Sequence, residues 1–484
     1  MQAVKDATGA SATGRLDDRG LTDDLFGMKL PWYVLRLLSG ANAVPRHDGV
    51  LVASCGREFL VSAGQFDRVH RYAKRVQAEV CVPLGLSQPY NLEDVLAIQN
   101  ATRMMCDNDA LLDAAKLRVC FLRTDESGPG WYRAMQPTSY LNACTHSINA
   151  QHTNWLNIAF GRHYDVVVAS SVSDPDFVEK LLQLRSGGTV LVFETDDALE
   201  DIPDWNPAKK VYTPQHYAAW AHLARHADAL IVSTHELKAR MGHTEKTHVV
   251  ENGIAPELWP CAVRTGSTDG RVRALWSGSQ THAKDLEVMV PAIKALLHST
   301  PELDFVFMNF LPMEFTQVSV SASGATQRSI LPALRERITF VPGVPVSEYP
   351  KAVAGITADI ALAPLVDIPF NRCKSALKVM EAWALGLPVL ASDVAPYHRA
   401  VQHGVNGILL QEPKQWHDAL RALVRAPEQR AALATAGVQT LRARHTMTSV
   451  VQEYERVLLT LARGKVRREE CAAAVAARCT EKGW

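Results

Sequence analysis

The chain has 484 residues, balances 51 lysines and arginines against 51 aspartates and glutamates, and contains nine cysteines. This length allows two core-forming domains with extensions, and the neutral charge gives no general support for binding nucleic acid or membrane surfaces. The odd number of cysteines, without a CxxC pair, favours reduced thiols over a disulfide framework. Because Met1–Gly27 has no signal-peptide core and no apolar run could span a bilayer, we expect a cytoplasmic protein.

The first 115 residues carry few functional signals. We expect residues 1–27 to be a disordered tail and residues 28–115 to be an N-terminal extension, either an added domain or a decoration of the next one. A strand is predicted at Val50–Ser54 and a helix at Gln65–Val80, with apolar residues on one face. The other face is basic. A solvated surface is the more common meaning of such a face, and binding of an anionic partner such as DNA is the alternative.

Residues 116–262 alternate buried-type strands with helices. The predicted strands are Val119–Leu122, Val166–Ala169, Thr189–Phe193, Ala229–Val232 and His248–Val250, and the predicted helices include Trp131–Leu141 and Tyr217–His226. This alternation predicts a doubly wound parallel sheet, and hence an α/β domain.

The first strand-to-helix loop of this domain contains Gly128, Gly130 and Arg133. The two glycines permit close approach of the backbone to a ligand, and Arg133 adds a charge in the first helical turn. The alternative is a helix start that only needs a tight turn.

Three carboxylates lie within four residues where the third strand ends: Glu194, Asp196 and Asp197. Like charges this close raise one another's pKa. They could orient hydroxyl groups of a ligand, serve as a base, or only cap the following segment. Metal binding by Asp196 and Asp197 is a weaker alternative, because no histidine or third ligand is supplied, so we predict no metal site.

A loop at residues 260–270 precedes a second α/β pattern, which we place at residues 271–445. Its predicted strands are Arg273–Trp276, Phe305–Met308, Ile338–Val341, Ile360–Ala363 and Val389–Ala391, with a helix at Ala283–Leu297. Two consecutive open α/β domains imply a cleft between them at the carboxyl ends of their strands. A further helix is expected within residues 446–463, followed by a tail at residues 464–484.

The loop after the first strand of the second domain is rich in small polar residues: Gly278, Ser279, Thr281, His282 and Lys284. Small residues let backbone N–H groups approach a phosphate, and Lys284 could neutralise a phosphate oxygen. The alternative is an ordinary loop with a helix cap. His146 and His235 are expected to be structural, whereas His282 is worth testing because of its place in this loop.

The turn after a later strand contains Gly343. A tight turn at a strand end explains this glycine, and contact of its backbone with a ligand is the alternative.

The most informative segment runs from Asn371 to Asp393 and reads as a polar loop, an amphipathic helix, a Gly-Leu-Pro turn and a short strand. Arg372 and Lys374 lie where the helix begins, where the helix dipole already favours anions. Seven residues after Lys374, Glu381 could accept two ribose hydroxyls, although alone it would read as a solvated carboxylate. The combination predicts a site for a nucleotide that carries a diphosphate.

This segment resembles the nucleotide-sugar site of retaining glycosyltransferases with the GT-B fold, of the group 1 (family 4-like) type. Many of these enzymes carry two glutamates eight positions apart. Glu381 matches the second, and Cys373 stands where the first would be. The resemblance covers roughly residues 117–463 and implies two Rossmann-like domains facing a cleft, with a crossover helix at residues 446–463.

The resemblance implies transfer of a sugar from a nucleoside-diphosphate sugar to an acceptor hydroxyl, with no cofactor required. The implied catalytic residues are Lys284, Lys374, Asp196 and Asp197. The implied donor contacts are Gly278, Ser279, Thr281, His282, Gly343, Arg372, Ser375, Lys378 and Glu381. The implied acceptor contacts are Gly128, Gly130, Arg133 and Glu194.

Two other functions fit the residues. One is a GT-B sugar-nucleotide epimerase, which would need no acceptor, and the other is a non-catalytic nucleotide-binding module. For a transferase, the acceptor stays open between a polysaccharide, a lipid, a protein and a modified DNA base.

Overall fold

The computed structural model describes residues 42–46, 49–54, 57–61, 116–145, 147–154, 164–320 and 326–462. The chain divides into two units, Met1–Ala115 and Lys116–Trp484. In the first unit, strands β1 (Asn42–Arg46), β2 (Gly49–Ser54) and β3 (Arg57–Val61) form an antiparallel sheet in the order β1-β2-β3. The predicted strand at Val50–Ser54 is confirmed, whereas the predicted helix at Gln65–Val80 lies outside the described residues.

The second unit contains two α/β lobes. The first lobe, residues 116–253 together with 447–462, has a parallel sheet in the order β5-β4-β6-β7-β8-β9. Its strands are β4 (Leu117–Leu122), β5 (Ile148–Thr153), β6 (Val166–Ser170), β7 (Val190–Thr195), β8 (Ala229–Val232) and β9 (Thr247–Val249). Its helices are α1 (Gln136–Cys144, preceded by helical turns Gly128–Gly130 and Trp131–Met135), α2 (Pro175–Leu182), α3 (Pro214–His226) and α4 (His235–Met241).

Alternation within β6 shows why this sheet is covered on both faces. Val166 and Val168 pack into one apolar core, and Val167 and Ala169 pack into another. Successive side chains of a strand point to opposite faces, so a continuous apolar run is stable only between two layers. The predicted doubly wound sheet is confirmed for this lobe.

The second lobe, residues 272–444, repeats the plan with the strand order β14-β11-β10-β15-β16-β17. Its strands are β10 (Val272–Ser277), β11 (Leu303–Met308), β14 (Ile338–Val341), β15 (Ile360–Ala363), β16 (Val389–Ser392) and β17 (Ile408–Leu410), with a separate hairpin of β12 (Thr316–Val320) and β13 (Thr326–Ile330). Its helices are α5 (Ala283–Glu287), α6 (Val290–Ser299), α7 (Tyr349–Ala354), α8 (Pro369–Arg372), α9 (Leu377–Ala384), α10 (Ala395–His398), α11 (Pro413–Val424) and α12 (Pro427–Arg444).

The structure corrects one expectation for the second lobe and adds one element to it. The helix predicted as one element over Ala283–Leu297 is split into α5 and α6. Pro291 lies at the start of α6, and it has no N–H to continue the hydrogen-bond ladder of α5. The β12–β13 hairpin was not predicted.

The chain passes between the lobes along two adjacent segments. Ile254 and Thr446 form a parallel bridge, in which the Ile254 N–H donates to the His445 carbonyl at 2.9 Å and the Met447 N–H donates to the Ile254 carbonyl at 2.7 Å. A helix over residues 447–462, here α13, then returns to the first lobe. Its residues Met447 and Tyr454 are buried in the core of the first sheet. The last described helix therefore packs against the first lobe, although it follows the second lobe in the chain.

Candidate active site

A cleft of about 930 Å³ lies between the two lobes. The first lobe lines it with residues that follow β4, β7 and β9, and the second lobe lines it with residues that follow β10, β11, β14 and β15 and with the start of α9. Because parallel strands present their carboxyl ends at one edge of a sheet, both lobes direct their loops into this cleft. The prediction of two α/β lobes facing a cleft is confirmed.

Lys374 connects the two walls of the cleft. Its Nζ donates a hydrogen bond of 2.9 Å to Oδ1 of Asp197 in the first lobe, and lies 4.5 Å from the centre of the Phe370 ring. Burial by itself lowers the pKa of Lys374, but the charge and hydrogen bond of Asp197 outweigh it, and the net pKa is raised. Lys374 is therefore a cation at neutral pH, and an anion in the cleft has to compete with Asp197 for it.

Lys378 lies four residues further along the chain, in the first turn of α9. Its Nζ donates to the Ser277 carbonyl at 2.7 Å and lies 5.6 Å from the centre of the Trp276 ring. Burial lowers the pKa of Lys378, and the carboxylate of Glu381 opposes that shift. A Cβ on Gly278 would come within 3.0 Å of this amine and 2.7 Å of the Trp276 ring, so the glycine makes room for Lys378 at the end of β10.

Glu381 accepts hydrogen bonds from both lobes. The Tyr132 hydroxyl of the first lobe donates to Oε1 at 2.9 Å, and the Tyr349 hydroxyl donates to Oε2 at 3.3 Å. Burial raises the pKa of Glu381, against the lowering effects of Lys378 and of the two hydroxyls. An ionised carboxylate has about four lone-pair positions, so two donors leave acceptor capacity for a ligand.

His282 is held by a buried carboxylate. Its Nδ1 lies 2.8 Å from Oδ2 of Asp285, a residue that is only 5% exposed. The other oxygen of Asp285 accepts from the Asn371 side-chain amide at 2.8 Å and from the Val366 N–H at 3.0 Å. Burial, and then the nearby Lys378, lower the pKa of His282 to about 4 although Asp285 opposes them. The imidazole is therefore neutral at neutral pH.

Five more of the predicted donor residues border the cleft. Gly278, Ser279, Thr281, Gly343 and Ser375 are among its lining residues. No described side chain caps the N-terminus of α9, which begins beside Ser375. Its first backbone N–H groups therefore add to the positive character that Lys374 and Lys378 give this wall.

The first-lobe wall is acidic. Asp196 and Asp197 follow β7 and line the cleft. Burial, followed by the charges of Asp197 and Glu194, raises the pKa of Asp196 to about 8. Asp196 therefore carries a proton through the neutral pH range in the unliganded cleft, and a nearby cation or hydrogen-bond donor would be needed to favour its ionised form.

Arg133 and Glu194 lie beneath the wall rather than in it. Both side chains are 1% exposed, and Arg133 Nε donates to Glu194 Oε1 at 2.6 Å. Arg133 also donates to Oδ1 of Asn252 at 2.9 Å, and the Asn252 amide donates to the hydroxyl of Ser375 in the second lobe at 2.9 Å. The two predicted residues thus support a contact between the lobes, and neither is among the lining residues of the cleft.

The structure does not bring Lys284 and Arg372 into the cleft. The Lys284 side chain is 48% exposed and pairs with Glu287 at 2.6 Å, and the Arg372 side chain is 54% exposed and pairs with Asp367 at 2.6 Å. Arg372 ends the short helix α8 instead of opening α9, and Lys284 lies on the outer face of α5. The expected phosphate contacts of Lys284 and Arg372 are therefore corrected, because, among the described residues, the cations that line the cleft are Lys374 and Lys378.

Two further expectations change with the structure. Gly128 lines the cleft, whereas a Cβ on Gly130 would lie 2.1 Å from the Asp125 carbonyl. The need for glycine at position 130 thus comes from the packing of its own loop. Cys373 is 4% exposed and packs in a small apolar cluster with Ala198 and Leu237 of the first lobe, so its side chain does not replace a carboxylate in the cleft.

Sequence reasoning missed three side chains that shape this site. Tyr132 and Tyr349 hold Glu381, and Asp285 holds His282. Only Asp285 had a signal, since it lies three residues after His282 and therefore on the same face of a helical turn. The two tyrosines are far from Glu381 in sequence, so only the tertiary fold brings them together.

Among the residues that the structure describes, no group of three or more histidine, cysteine, aspartate or glutamate side chains is arranged to hold a metal ion. Within the same part of the chain, no helix has both the length and the apolar character needed to cross a membrane.

Residues 271–426 match the family model described as Glycosyl transferases group 1. A curated relative, D-inositol 3-phosphate glycosyltransferase 1 of Catenulispora acidiphila, is 25% identical over 240 residues, which is 47% of this chain and 56% of the relative. The D-inositol 3-phosphate glycosyltransferase of Mycobacterium avium is 32% identical over 128 residues, which is 25% of this chain and 28% of the relative. The chain thus spans about half, or less, of the length of these relatives.

Two solved structures share the fold. Sucrose-phosphate synthase from Thermosynechococcus elongatus has a TM-score of 0.50 at 15% identity, covering 74% of this chain and 100% of that protein. Anabaena HepE in complex with UDP-glucose has a TM-score of 0.50 at 14% identity, covering 71% of this chain and 99% of that protein. These likenesses confirm the GT-B arrangement of two Rossmann-like lobes.

Proposed function

We propose that this chain, whose second lobe belongs to the group 1 glycosyltransferases, transfers a sugar from a nucleoside-diphosphate sugar to an acceptor hydroxyl, with retention at the anomeric carbon. One observation carries the proposal. Within a single cleft, the amines of Lys374 and Lys378 and the uncapped start of α9 lie on the same short segment as the carboxylate of Glu381. Such a pairing of anion-binding groups with a hydroxyl-binding carboxylate suits a nucleoside diphosphate.

The diphosphate is proposed to bind the second-lobe wall. When the bond to the sugar breaks, negative charge builds up on the departing phosphate, and fixed cations in a partly buried site stabilise that charge most effectively. Lys374 changes partner in this process, because the phosphate replaces Asp197. Lys378 is already fixed by the Ser277 carbonyl and the Trp276 ring, so it needs little reorganisation.

Glu381 is proposed to accept hydrogen bonds from the ribose hydroxyls. Its oxygens already face the Tyr132 and Tyr349 hydroxyls, and the remaining lone pairs serve the ribose. Gly343, in the loop after β14, lines the same cleft and is the proposed contact of the nucleobase.

The acceptor is proposed to bind the first-lobe wall. Asp196 and Asp197 line this wall. The protonated carboxyl group of Asp196 can orient an acceptor hydroxyl, and the carboxylate of Asp197 can orient that hydroxyl or take its proton. Once a diphosphate draws Lys374 away, Asp197 is free to accept from that hydroxyl. Polysaccharide, lipid, protein and modified DNA base remain the acceptor classes to be tested, in a reaction that we propose needs no cofactor. A cytoplasmic location, suggested by the scattered cysteines, is part of the same proposal.

The printed names of the relatives suggest the first ligands to test. HepE was solved with UDP-glucose, and both curated relatives are named as D-inositol 3-phosphate glycosyltransferases. We therefore propose a UDP-sugar as the first donor and a cyclitol phosphate as the first acceptor in a wider panel.

A thermal-shift screen of UDP-, GDP-, ADP- and TDP-sugars tests the proposal directly, because a ligand that binds the folded state raises the unfolding midpoint. At least one nucleotide sugar should raise it in a dose-dependent way, and incubation with that donor and an acceptor panel should release the nucleoside diphosphate. Conversion of the donor sugar without any acceptor would instead indicate an epimerase. Binding without turnover across the panel would indicate a nucleotide-binding module, and the absence of any binding would refute the proposal.

A further inference from the structure

The His282–Asp285 pair is built as a rigid unit. Asp285 receives three hydrogen bonds, from the His282 ring, the Asn371 amide and the Val366 N–H. Asn371 is itself 4% exposed and also donates to the Val366 carbonyl at 3.0 Å. A carboxylate with this many fixed donors has little freedom to turn, so the imidazole has one preferred orientation.

This orientation decides which nitrogen of His282 carries the proton. A carboxylate only accepts hydrogen bonds, so Nδ1 of His282 must be the donor to Asp285. The ring is neutral at neutral pH, because burial and the nearby Lys378 lower its pKa to about 4. Nε2 is therefore an unprotonated acceptor, and no hydrogen bond within the described part of the chain uses it.

The ligand atom that Nε2 meets must be a donor. His282 lines the cleft, and it also lines a small adjoining hollow together with Lys374 and with Asn206 of the first lobe. A phosphate oxygen offers only lone pairs to a neutral Nε2, which makes it an unsuitable partner. A sugar hydroxyl offers a proton, and the sugar is the part of a bound donor that follows the diphosphate.

We propose that His282 Nε2 accepts a hydrogen bond from a hydroxyl of the donor sugar, with Asp285 as the residue that positions the imidazole. The inference rests on the proposed function and deepens it, because it assigns sugar recognition to a neutral acceptor in the second lobe. His282 is then a specificity residue for the sugar, while Lys374 and Lys378 bind the diphosphate that every donor shares.

Calorimetric titration of matched ligands separates this inference from the proposed function. Wild-type protein is titrated with UDP and UDP-glucose, or with the corresponding GDP, ADP or TDP pair if the thermal screen selects it. His282→Ala should weaken binding of the nucleotide sugar about tenfold and change binding of the nucleoside diphosphate by less than about twofold. His282→Gln, which keeps an acceptor at a similar reach, should recover most of the loss and guards against a folding defect.

His398 supplies a matched control, since it pairs with Asp393 on an exposed surface and is not among the lining residues of the cleft. His398→Ala should leave both affinities unchanged. Equal weakening of both ligands by His282→Ala, or no weakening of either, would overturn the sugar contact while leaving the proposed function intact. Failure of the wild type to bind any nucleotide sugar would refute the proposed function and the inference with it.

The role of Asp285 has its own readout. In protein with ¹⁵N-labelled histidine, the His282 resonances, assigned by their loss in His282→Gln, should show a neutral ring with the proton on Nδ1. Asp285→Asn should shift the proton towards Nε2, which a purely structural role would not do. A wild-type ring with its proton on Nε2 would contradict the inference.

Discussion

The two walls of the cleft carry opposite charges and differ in how they are held. The second-lobe wall presents Lys374, Lys378 and the start of α9, all on one short segment of chain. The first-lobe wall presents Asp196 and Asp197, supported from below by the buried Arg133–Glu194 pair. In the unliganded cleft, the Lys374–Asp197 ion pair neutralises part of the charge of the two walls. An anion that binds Lys374 therefore replaces Asp197 as its partner.

This difference explains why the cationic wall is easier to predict from the sequence than the support of the acidic wall. The cationic wall depends on residues that are near one another in the chain, so their spacing along one loop and the helix that follows is visible in the sequence. The acidic wall depends on Arg133, Glu194 and Asn252, which come from three separate elements. These three residues meet only when the lobe is folded, so no single segment of the sequence reveals the contact.

The largest effect should come from the support of the acidic wall. Arg133→Ala leaves the Glu194 carboxylate buried without its partner, and such a loss costs roughly 3–5 kcal/mol of unfolding free energy. Urea unfolding followed by circular dichroism measures it. Arg118→Ala removes an ion pair to Asp165 whose side chains are 51% and 37% exposed, and it should cost less than about 1 kcal/mol. Equal costs for the two variants would contradict the buried role of Arg133.

Substitution of a lysine in the cationic wall should lower turnover more than it lowers stability. Lys374→Ala removes the cation that is proposed to stabilise the departing diphosphate, and it should lower turnover by about 100- to 1,000-fold, as measured by release of nucleoside diphosphate. Arg372→Ala, which removes an exposed cation two residues away, should retain turnover within about twofold. If Arg372→Ala were as inactive as Lys374→Ala, the wall would have to include the outer face of α8.

The carboxylate that both lobes contact should affect nucleotide binding more mildly. Glu381→Gln removes the charge that is proposed to accept the ribose hydroxyls, and it should weaken binding of the nucleoside diphosphate about tenfold. Titration calorimetry measures the change, and Glu287→Gln on the exposed face of α5 is the matched control, with no expected change. Unchanged affinity for Glu381→Gln would place the ribose elsewhere.

The smallest effect concerns the pH dependence of stability. The pKa of Asp196 is raised to about 8 in the folded protein from an ordinary value of 3.8, so between these pH values the folded state keeps a proton that the unfolded chain releases. Stability contributed by this group therefore falls as the pH rises through that window. Asp196→Asn should remove this pH-dependent loss of stability. The melting temperature of the variant should exceed that of the wild type by a few degrees at about pH 8.5, and the two should be nearly equal at about pH 4.5.

The same melting experiment with Asp176→Asn, an exposed carboxylate at the start of α2, should give no gain in melting temperature at either pH, because a negative charge in the first turn of a helix is not destabilising. A gain for Asp196→Asn that is equal at both pH values would show that the carboxyl group is not held protonated by its burial and its acidic neighbours.

The sequence alone determined the two α/β lobes and the segment that carries the cationic wall. Apolar runs such as Val166–Ala169 require cover on both faces, and the spacing from Lys374 to Glu381 is local to one loop and one helix. The tertiary structure decided which charges face the cleft. Lys284 and Arg372 find exposed acidic partners within five residues and turn outward, whereas Tyr132 reaches Glu381 across 249 positions. Local periodicity fixes secondary structure and burial, but the partner of a charge depends on distances that only the packed lobes define.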